Sequence, residues 1–437
     1  MKLLVFAHTP PPHHGQSYMV QIMLAGFGGD HRKASTRPNE ASRDRVAGKD
    51  TPFGIDCFHV NARLSQKLED IGDFRIGKFM LLIGYCLQAI WCRFRYGVTN
   101  FYYIPAPGKR SALYRDWVVM LLCRPFFKKV ILHWHAAGLA KWLETVVQIR
   151  SRSITYRLMK RVDLSIVLSG YNRADAEKLF SQEIKIVSNG IPDPCPDFVG
   201  EVLPRRRARF AARCKLLSGQ TLSPEELRNA GGDPNILRVL YLAHCTREKG
   251  LFDCLTAVML ANKKLKASAS PISLRLQVTG NFVNALERTE FNRMLAQPGT
   301  ADVVQYLGFV AGDQKNELLR DSDLFCFPTY YQNENQPVNL IEAMAFGLPI
   351  LTTRWRSIPE LFPANYPGLV ASRAPERVAD GLLALIPSES GEGFRDIFLR
   401  TFTLDHHLAC LAEAIHRVER GDQTAPAQTP VRAMPAG

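Results

Sequence analysis

Two glutamates, Glu334 and Glu342, stand with seven residues between them inside the run Phe325 to Thr352. Their surroundings read as strand, polar loop, helix and strand. Leu324 to Phe327 is a short apolar run closed by Pro328, and Pro337 suits a first helical turn, where its missing N–H is not needed. Ala343, Met344 and Ala345 favour a helix to about Phe346, Gly347 suits its end, and Ile350 to Thr353 reads as the returning strand. Free amides at such a helix start seat phosphate oxygens. Glu334, in the loop before them, would repel phosphate, but its carboxylate can accept hydrogen bonds from sugar or ribose hydroxyls. A helix-capping Glu334 and a solvated Glu342 fit these residues equally well.

A second group lies at Val130 to Gly138, where an apolar strand runs into His133-Trp134-His135. A period of two places both histidines on one face. Their spacing would suit zinc, but no third ligand accompanies them, and a structural role is the simpler reading of His133. A third place is the loop after the first strand, Leu3 to Ala7, where Gly15 would let backbone amides approach a ligand closely. Asp321-Ser322-Asp323 has the spacing of a metal-binding pair, yet it ends a helix and precedes a strand, so no metal is assigned to it.

The stretch Glu334, seven residues, Glu342, then Ala343-Met344-Ala345-Phe346-Gly347-Leu348-Pro349 resembles the retaining glycosyltransferases of family 4. That resemblance implies the α/β GT-B fold, with two Rossmann-like domains facing each other across a cleft. It further implies a nucleoside-diphosphate sugar as donor, with Glu342 on the ribose and Glu334, with the backbone at Gln336, Pro337 and Val338, on the donor sugar. His135 matches the family's histidine at the reaction centre. Gly15 and Gln16 match a loop near donor phosphates or acceptor, Gln16 replacing a second glycine. Thr246-Arg247-Glu248-Lys249-Gly250 resembles the family's diphosphate clamp at Lys249 and Gly250, but His244 stands at the usual arginine position and Arg247 lies three residues later. Either could supply the second contact. Gly280 falls where backbone approaches the nucleotide. Asn335-Gln336 replaces a glycine and a bulky apolar residue, and Ser357-Ile358-Pro359-Glu360 departs from Gly-Ile-Pro-Glu at its first position.

The elements that must position these residues are legible as alternating strands and helices in both halves. The expected division is a first Rossmann-like domain over 1–192, ending at the Asn189-Gly190 turn, and a linker with a basic helix over 193–235. A second Rossmann-like domain follows over 236–393, then a helix over 394–420 that crosses back to the first, and a disordered tail over 421–437. No Gly-x-Gly-x-x-Gly loop follows a strand, which argues against a dinucleotide oxidoreductase. Ten cysteines without a Cys-x-x-Cys pair read as reduced and buried.

The N-terminal apolar run is too short for a signal peptide, and Phe79 to Cys92 is too short to span a bilayer, so it reads as a buried or membrane-surface helix. A net charge of +14 favours acidic substrates or an anionic surface, without any nucleic-acid motif. The Arg205-Arg206-Arg207-Ala208-Arg209 cluster fits either anionic lipid or a solvated helix face. The reading is a metal-independent retaining transferase of the cytoplasm, with no cofactor beyond its donor. It would move a hexose or N-acetylhexosamine to a glycan, lipid-linked or small-molecule acceptor, with peripheral membrane contact left open. The alternative is a non-catalytic nucleotide-sugar- or glycan-binding protein with a degenerate site.

Overall fold

The computed structural model describes residues 1–11, 15–34, 52–64, 76–105, 108–387 and 392–420. The tail at 421–437, most of the loop from Asp30 to Asp50, and Pro12 to His14 of the first loop lie outside these residues.

Among the described residues, short and mostly apolar runs form twelve strands in two parallel sheets, and burial on both faces explains why the central strands read as continuous apolar runs rather than alternations. The first sheet holds β1 (Lys2–Ala7), β2 (Asp56–Asn61), β3 (Asn100–Tyr103), β4 (Lys129–Trp134), β5 (Leu164–Val167) and β6 (Glu183–Ile186), in the order β2-β1-β3-β4-β5-β6. The second holds β7 (Ile236–Leu242), β8 (Ser273–Thr279), β9 (Val304–Gly308), β10 (Leu324–Phe327), β11 (Ile350–Thr353) and β12 (Leu369–Val370), in the order β12-β11-β10-β7-β8-β9. Each order reverses beside its first strand, which opens a crevice at the carboxyl ends of the strands where ligands bind in such sheets. The two crevices face each other.

The first domain has helices on both faces of its sheet. Helix Gly15–Gly26 packs on one face through Val20, Met23 and Leu24, and helix Leu404–Arg420 joins it there through Leu408, Leu411 and Ile415. The chain therefore returns from the second domain to the first. His407 of this closing helix donates from Nδ1 to Ser188 O at 2.6 Å, and Gly190 lies so close that a Cβ there would meet Thr403 O at 2.4 Å.

The inner face of the basic helix, Leu203–Leu217, is buried rather than solvated, while Arg207 stays exposed and Arg205 partly so. Its inner arginines knit the second domain together: Arg209 and Arg213 hold the buried Asp323 at 2.8 and 2.6 Å. Burial would push the Asp323 carboxyl up, but the two guanidinium groups outweigh it and hold it below the ordinary value. Asp321 pairs with Arg205, so both acids of the Asp-x-Asp spacing are spent on this helix. Beyond the basic helix, the linker contains a second short helix, Pro224–Ala230. Ser223 Oγ accepts from Glu226 N and Glu226 Oε2 accepts from Ser223 N, a reciprocal cap that the Ser-x-x-Glu spacing carried.

Candidate active site

The site forms where the loops after β7 and β10 meet helix Val338–Ala345. These loops are zipped: Tyr330 N donates to Glu248 O at 2.8 Å, and a Cβ on Gly250 would lie 2.3 Å from Pro328 O. Only glycine permits that approach, and its φ of +81° also favours glycine. Lys249 is thereby carried over the rings of Tyr331 and Phe327, at 4.6 and 5.6 Å from their centroids. Its Nζ donates to Glu334 Oε2 at 2.7 Å, and Thr329 Oγ1 donates to the same oxygen at 3.0 Å. Glu334 is buried at 7% exposure, so the loop presents a cation and its counter-ion as one preassembled unit.

Pro337 caps helix Val338–Ala345, whose amide end opens beside this pair. The opposite end is neutralised by cations. Arg206 donates to Phe346 O and Gly347 O, and Arg395 Nη1 donates to Ala345 O at 2.7 Å. Positive charge there complements the helix dipole and leaves the amide end to attract an anion. Glu342, one turn inside, pairs with Lys315 of helix Gly312–Asp321.

The first domain closes over this unit. The position of a Cβ on Gly15 lies 3.7 Å from Val338 Cγ2, so the start of helix Gly15–Gly26 faces the start of helix Val338–Ala345. Gln16 sits next to it, in the same first turn. Tyr18 reaches towards Glu342 and Lys315, and its hydroxyl pKa is pushed up by burial and then by the Glu342 charge. At the end of β4, His135 lies against His133 with ring centroids 4.3 Å apart. His133 is buried and bonded to the Tyr102 hydroxyl through Nδ1. Burial, then the neighbouring His135 and His407, hold its pKa far below the ordinary value, so it is neutral. His133 is thus structural in its contacts, while the half-buried His135 ends the strand at the crevice.

Two residues of the clamp loop diverge. His244 lies close enough to Lys249 to feel its charge; burial, then that charge, lowers its pKa, so it is a neutral ring at neutral pH. Arg247 turns away. Its guanidinium meets Glu290 at 2.5 Å and stacks over Phe252 at 4.5 Å, on the side of helix Ala285–Leu295. Gly280 is needed for packing: at φ +131°, a Cβ would come 1.8 Å from Ala243 O.

The side chains of Asn335 and Gln336 reach across to the first domain. Gln336 Oε1 accepts from Asn189 N at 2.5 Å, and Asn189 Nδ2 donates to Gln336 O at 3.1 Å. Asn335 Nδ2 donates to Asn172 Oδ1 at 2.5 Å, and Ser357 Oγ donates to Asn335 O. Glu360 accepts from Gly170 N and Tyr171 N at 2.8 and 2.7 Å, and Arg356 donates to Ala137 O at 3.2 Å. The departures at 335, 336 and 357 therefore build a polar latch between the domains, next to the segment that carries His135. The physical reason is satisfaction: two amides buried at an interdomain seam require partners, and the facing backbone supplies them.

Lys315, Tyr18, Thr329 and Tyr331 were not among the residues singled out by sequence. Tyr331 lies within the motif run, but Lys315 and Tyr18 have no local pattern, since only tertiary packing brings them to Glu342.

Two Rossmann-like domains, joined by a linker and a returning helix and facing each other across a cleft, define the GT-B architecture. Within it, residues 225–394 match the family model described as glycosyl transferases group 1. WcaL of Salmonella typhimurium, provisionally named a colanic acid biosynthesis glycosyltransferase, is 31% identical over 152 residues, 34% of each chain. The amylovoran biosynthesis glycosyltransferase AmsK of Erwinia amylovora is 29% identical over 165 residues, 37% of each chain. These matches span about a third of the relatives' length. Over the whole fold the chain is similar to Anabaena HepE in complex with UDP-glucose, with TM-score 0.58, 14% identity, and 95% and 99% of the two chains covered. It is also similar to sucrose-phosphate synthase of Thermosynechococcus elongatus, with TM-score 0.63, 14% identity, and 97% and 100% covered.

Proposed function

We propose that this protein transfers a sugar from a nucleoside-diphosphate donor to an acceptor hydroxyl with retention at the anomeric carbon. The observation that carries this reading is the Lys249–Glu334 pair at the amide end of helix Val338–Ala345, facing Gly15 of the other domain. The diphosphate would draw Lys249 off Glu334 and settle between its ammonium and the free amides of the helix. Glu334, released and acceptor-only, would take hydrogen bonds from donor sugar hydroxyls, together with backbone at Gln336, Pro337 and Val338. Glu342 would hold the ribose, oriented by Lys315. His244 would contact the phosphates as a neutral donor, with Arg247 held in reserve by Glu290. Gly280 would bring the backbone to the nucleotide, and Gly15 and Gln16 would border the phosphates and the acceptor.

In the bond-making step, the anomeric carbon–phosphate oxygen bond breaks as the acceptor oxygen–carbon bond forms on the same face. The acceptor proton passes to the departing phosphate. His135 would stabilise the oxocarbenium-like centre from the first domain. Lys249 and the helix amides meet the leaving-group charge, so the scheme needs no added metal. The donor sugar is read as a hexose or N-acetylhexosamine. The acceptor is read as a glycan or lipid-linked saccharide, in line with the polysaccharide-directed names of WcaL and AmsK. The outward turn of Arg247 favours one rival, a nucleotide-sugar-binding protein without turnover.

Hydrolysis and binding of UDP-, GDP-, ADP- and dTDP-sugars, without added metal, separate the two. Wild type is run beside Glu334→Ala and Lys249→Ala. Turnover of one donor, lowered about 10²- to 10³-fold by either substitution, is expected. Binding without turnover, even with oligosaccharide acceptors, would favour the binder, and no binding of any donor would overturn the site assignment. The anomeric configuration of the product, read by NMR, tests retention.

A further inference from the structure

The charge of this chain is concentrated. Residues 76–161 contain 15 lysines and arginines against two acids, Asp116 and Glu144, a surplus of 13 out of the chain's net +14. Asp116 is buried and accepts from the Tyr103 hydroxyl at 2.6 Å, and Glu144 is paired with Lys178. Most of the segment's helical residues lie in three helices, Ile76–Tyr96, Arg110–Cys123 and Ile149–Met159, which cover one face of the first sheet. The returning helix covers the other face.

Helix Ile76–Tyr96 is apolar on two sides. Leu82, Cys86, Ala89 and Cys92 pack on the sheet. Met80, Leu87, Trp91 and Phe94, with Gly84 between them, recur in steps of three and four on the opposite side and are 52–68% exposed. The stripe is continued by the neighbouring elements. Phe94 meets Phe126 edge-on at 6.0 Å, and Leu121 and Ile149 are 62% and 70% exposed. Basic residues rim it: Arg95 stands over the Tyr96 ring, and Arg110, Lys128, Arg150 and Arg157 are exposed. Among the described residues no helix is long and apolar enough to cross a membrane.

We propose that this helical layer is the surface by which the protein lies on an anionic lipid bilayer. The aliphatic and aromatic stripe would enter the acyl boundary, with the arginines level with the headgroups. Charge complementarity selects an anionic surface, since the layer offers almost no acid to repel it. A ligand cleft at the carboxyl edge of the sheet stays open when the helical layer is seated. The Arg205 cluster has no part in this contact, its inner members being spent on Asp323 and carbonyls.

This proposal is independent of the donor chemistry, and its test uses no nucleotide. The purified full chain is sedimented with phosphatidylcholine vesicles and with vesicles containing phosphatidylglycerol, at low and high salt. Expected is binding to the anionic vesicles that weakens with salt, and its loss in Leu87→Glu/Trp91→Glu with circular dichroism unchanged. Arg95→Glu/Arg150→Glu and Lys263→Glu/Lys266→Glu change net charge equally, the second pair on exposed positions of the other domain. Each basic group at an anionic surface contributes about a fivefold factor, so the first pair should weaken binding at least ~25-fold and the second far less. Equal weakening by both pairs, or no vesicle binding, would overturn the assignment. So would a wild-type dimer in sedimentation equilibrium that Leu87→Glu/Trp91→Glu makes monomeric, since the face would then be an interface between copies.

Discussion

Gln336→Leu separates a latch from a ligand contact. In the structure the Gln336 side chain accepts from the buried Asn189 N–H at 2.5 Å; its own Nε2 reaches Leu168 O at only 3.5 Å and contributes little. Leucine has a similar volume but no acceptor, so Asn189 N–H would be left unsatisfied at a buried seam. Such a group costs about 1–3 kcal/mol, and each 1.4 kcal/mol is a factor of ten, so the closed arrangement should lose about tenfold or more in population. Lys249, Glu334, Glu342 and Lys315 all belong to the second domain and keep their contacts. Nucleoside-diphosphate affinity, measured by calorimetry, should therefore stay within about twofold of wild type. The radius of gyration from solution scattering should increase, and kcat/KM for transfer should fall about tenfold. A parallel fall in nucleotide affinity would show that Gln336 serves the donor directly and would refute the latch. Unchanged scattering and unchanged kcat/KM would refute it as well.

Two further outcomes follow from buried charge. Asp323→Asn leaves Arg209 and Arg213 without their shared counter-ion at 2% and 6% side-chain exposure, and should destabilise the second domain by about 3–5 kcal/mol in urea unfolding. Asp321→Asn, which breaks an exposed pair with Arg205, should cost at most about 1 kcal/mol. His407 is held neutral, its pKa lowered by burial from 6.5 to about 4, whereas the unfolded chain takes up a proton below 6.5. Stability should therefore decline as pH falls from about 6.5 to 4, by roughly 3 kcal/mol from this group, with His133 acting in the same direction. The slope should be shallower in His407→Gln, and a slope unchanged by that substitution would contradict the assignment.

The sequence alone determined the strand–helix alternation, because fully buried parallel strands are continuous apolar runs bounded by Gly, Pro and polar loops. It also determined the local chemistry of 325–352 and 246–250, since a helix start, its glycine stop and a Lys-Gly turn are short-range features. Tertiary structure alone decided what those residues face. Arg247 and Lys249 are two apart in sequence, yet one turns to Glu290 of helix Ala285–Leu295 and the other to Glu334 of the loop after β10, partners far along the chain. Asn335-Gln336 reads only as a departure from the family pattern until the first domain supplies Asn172 and Asn189. The arginines after 204 read as a basic face until Asp323 is placed beneath them. Local propensity writes the elements, whereas the burial of a polar side chain is settled only by a partner far along the chain.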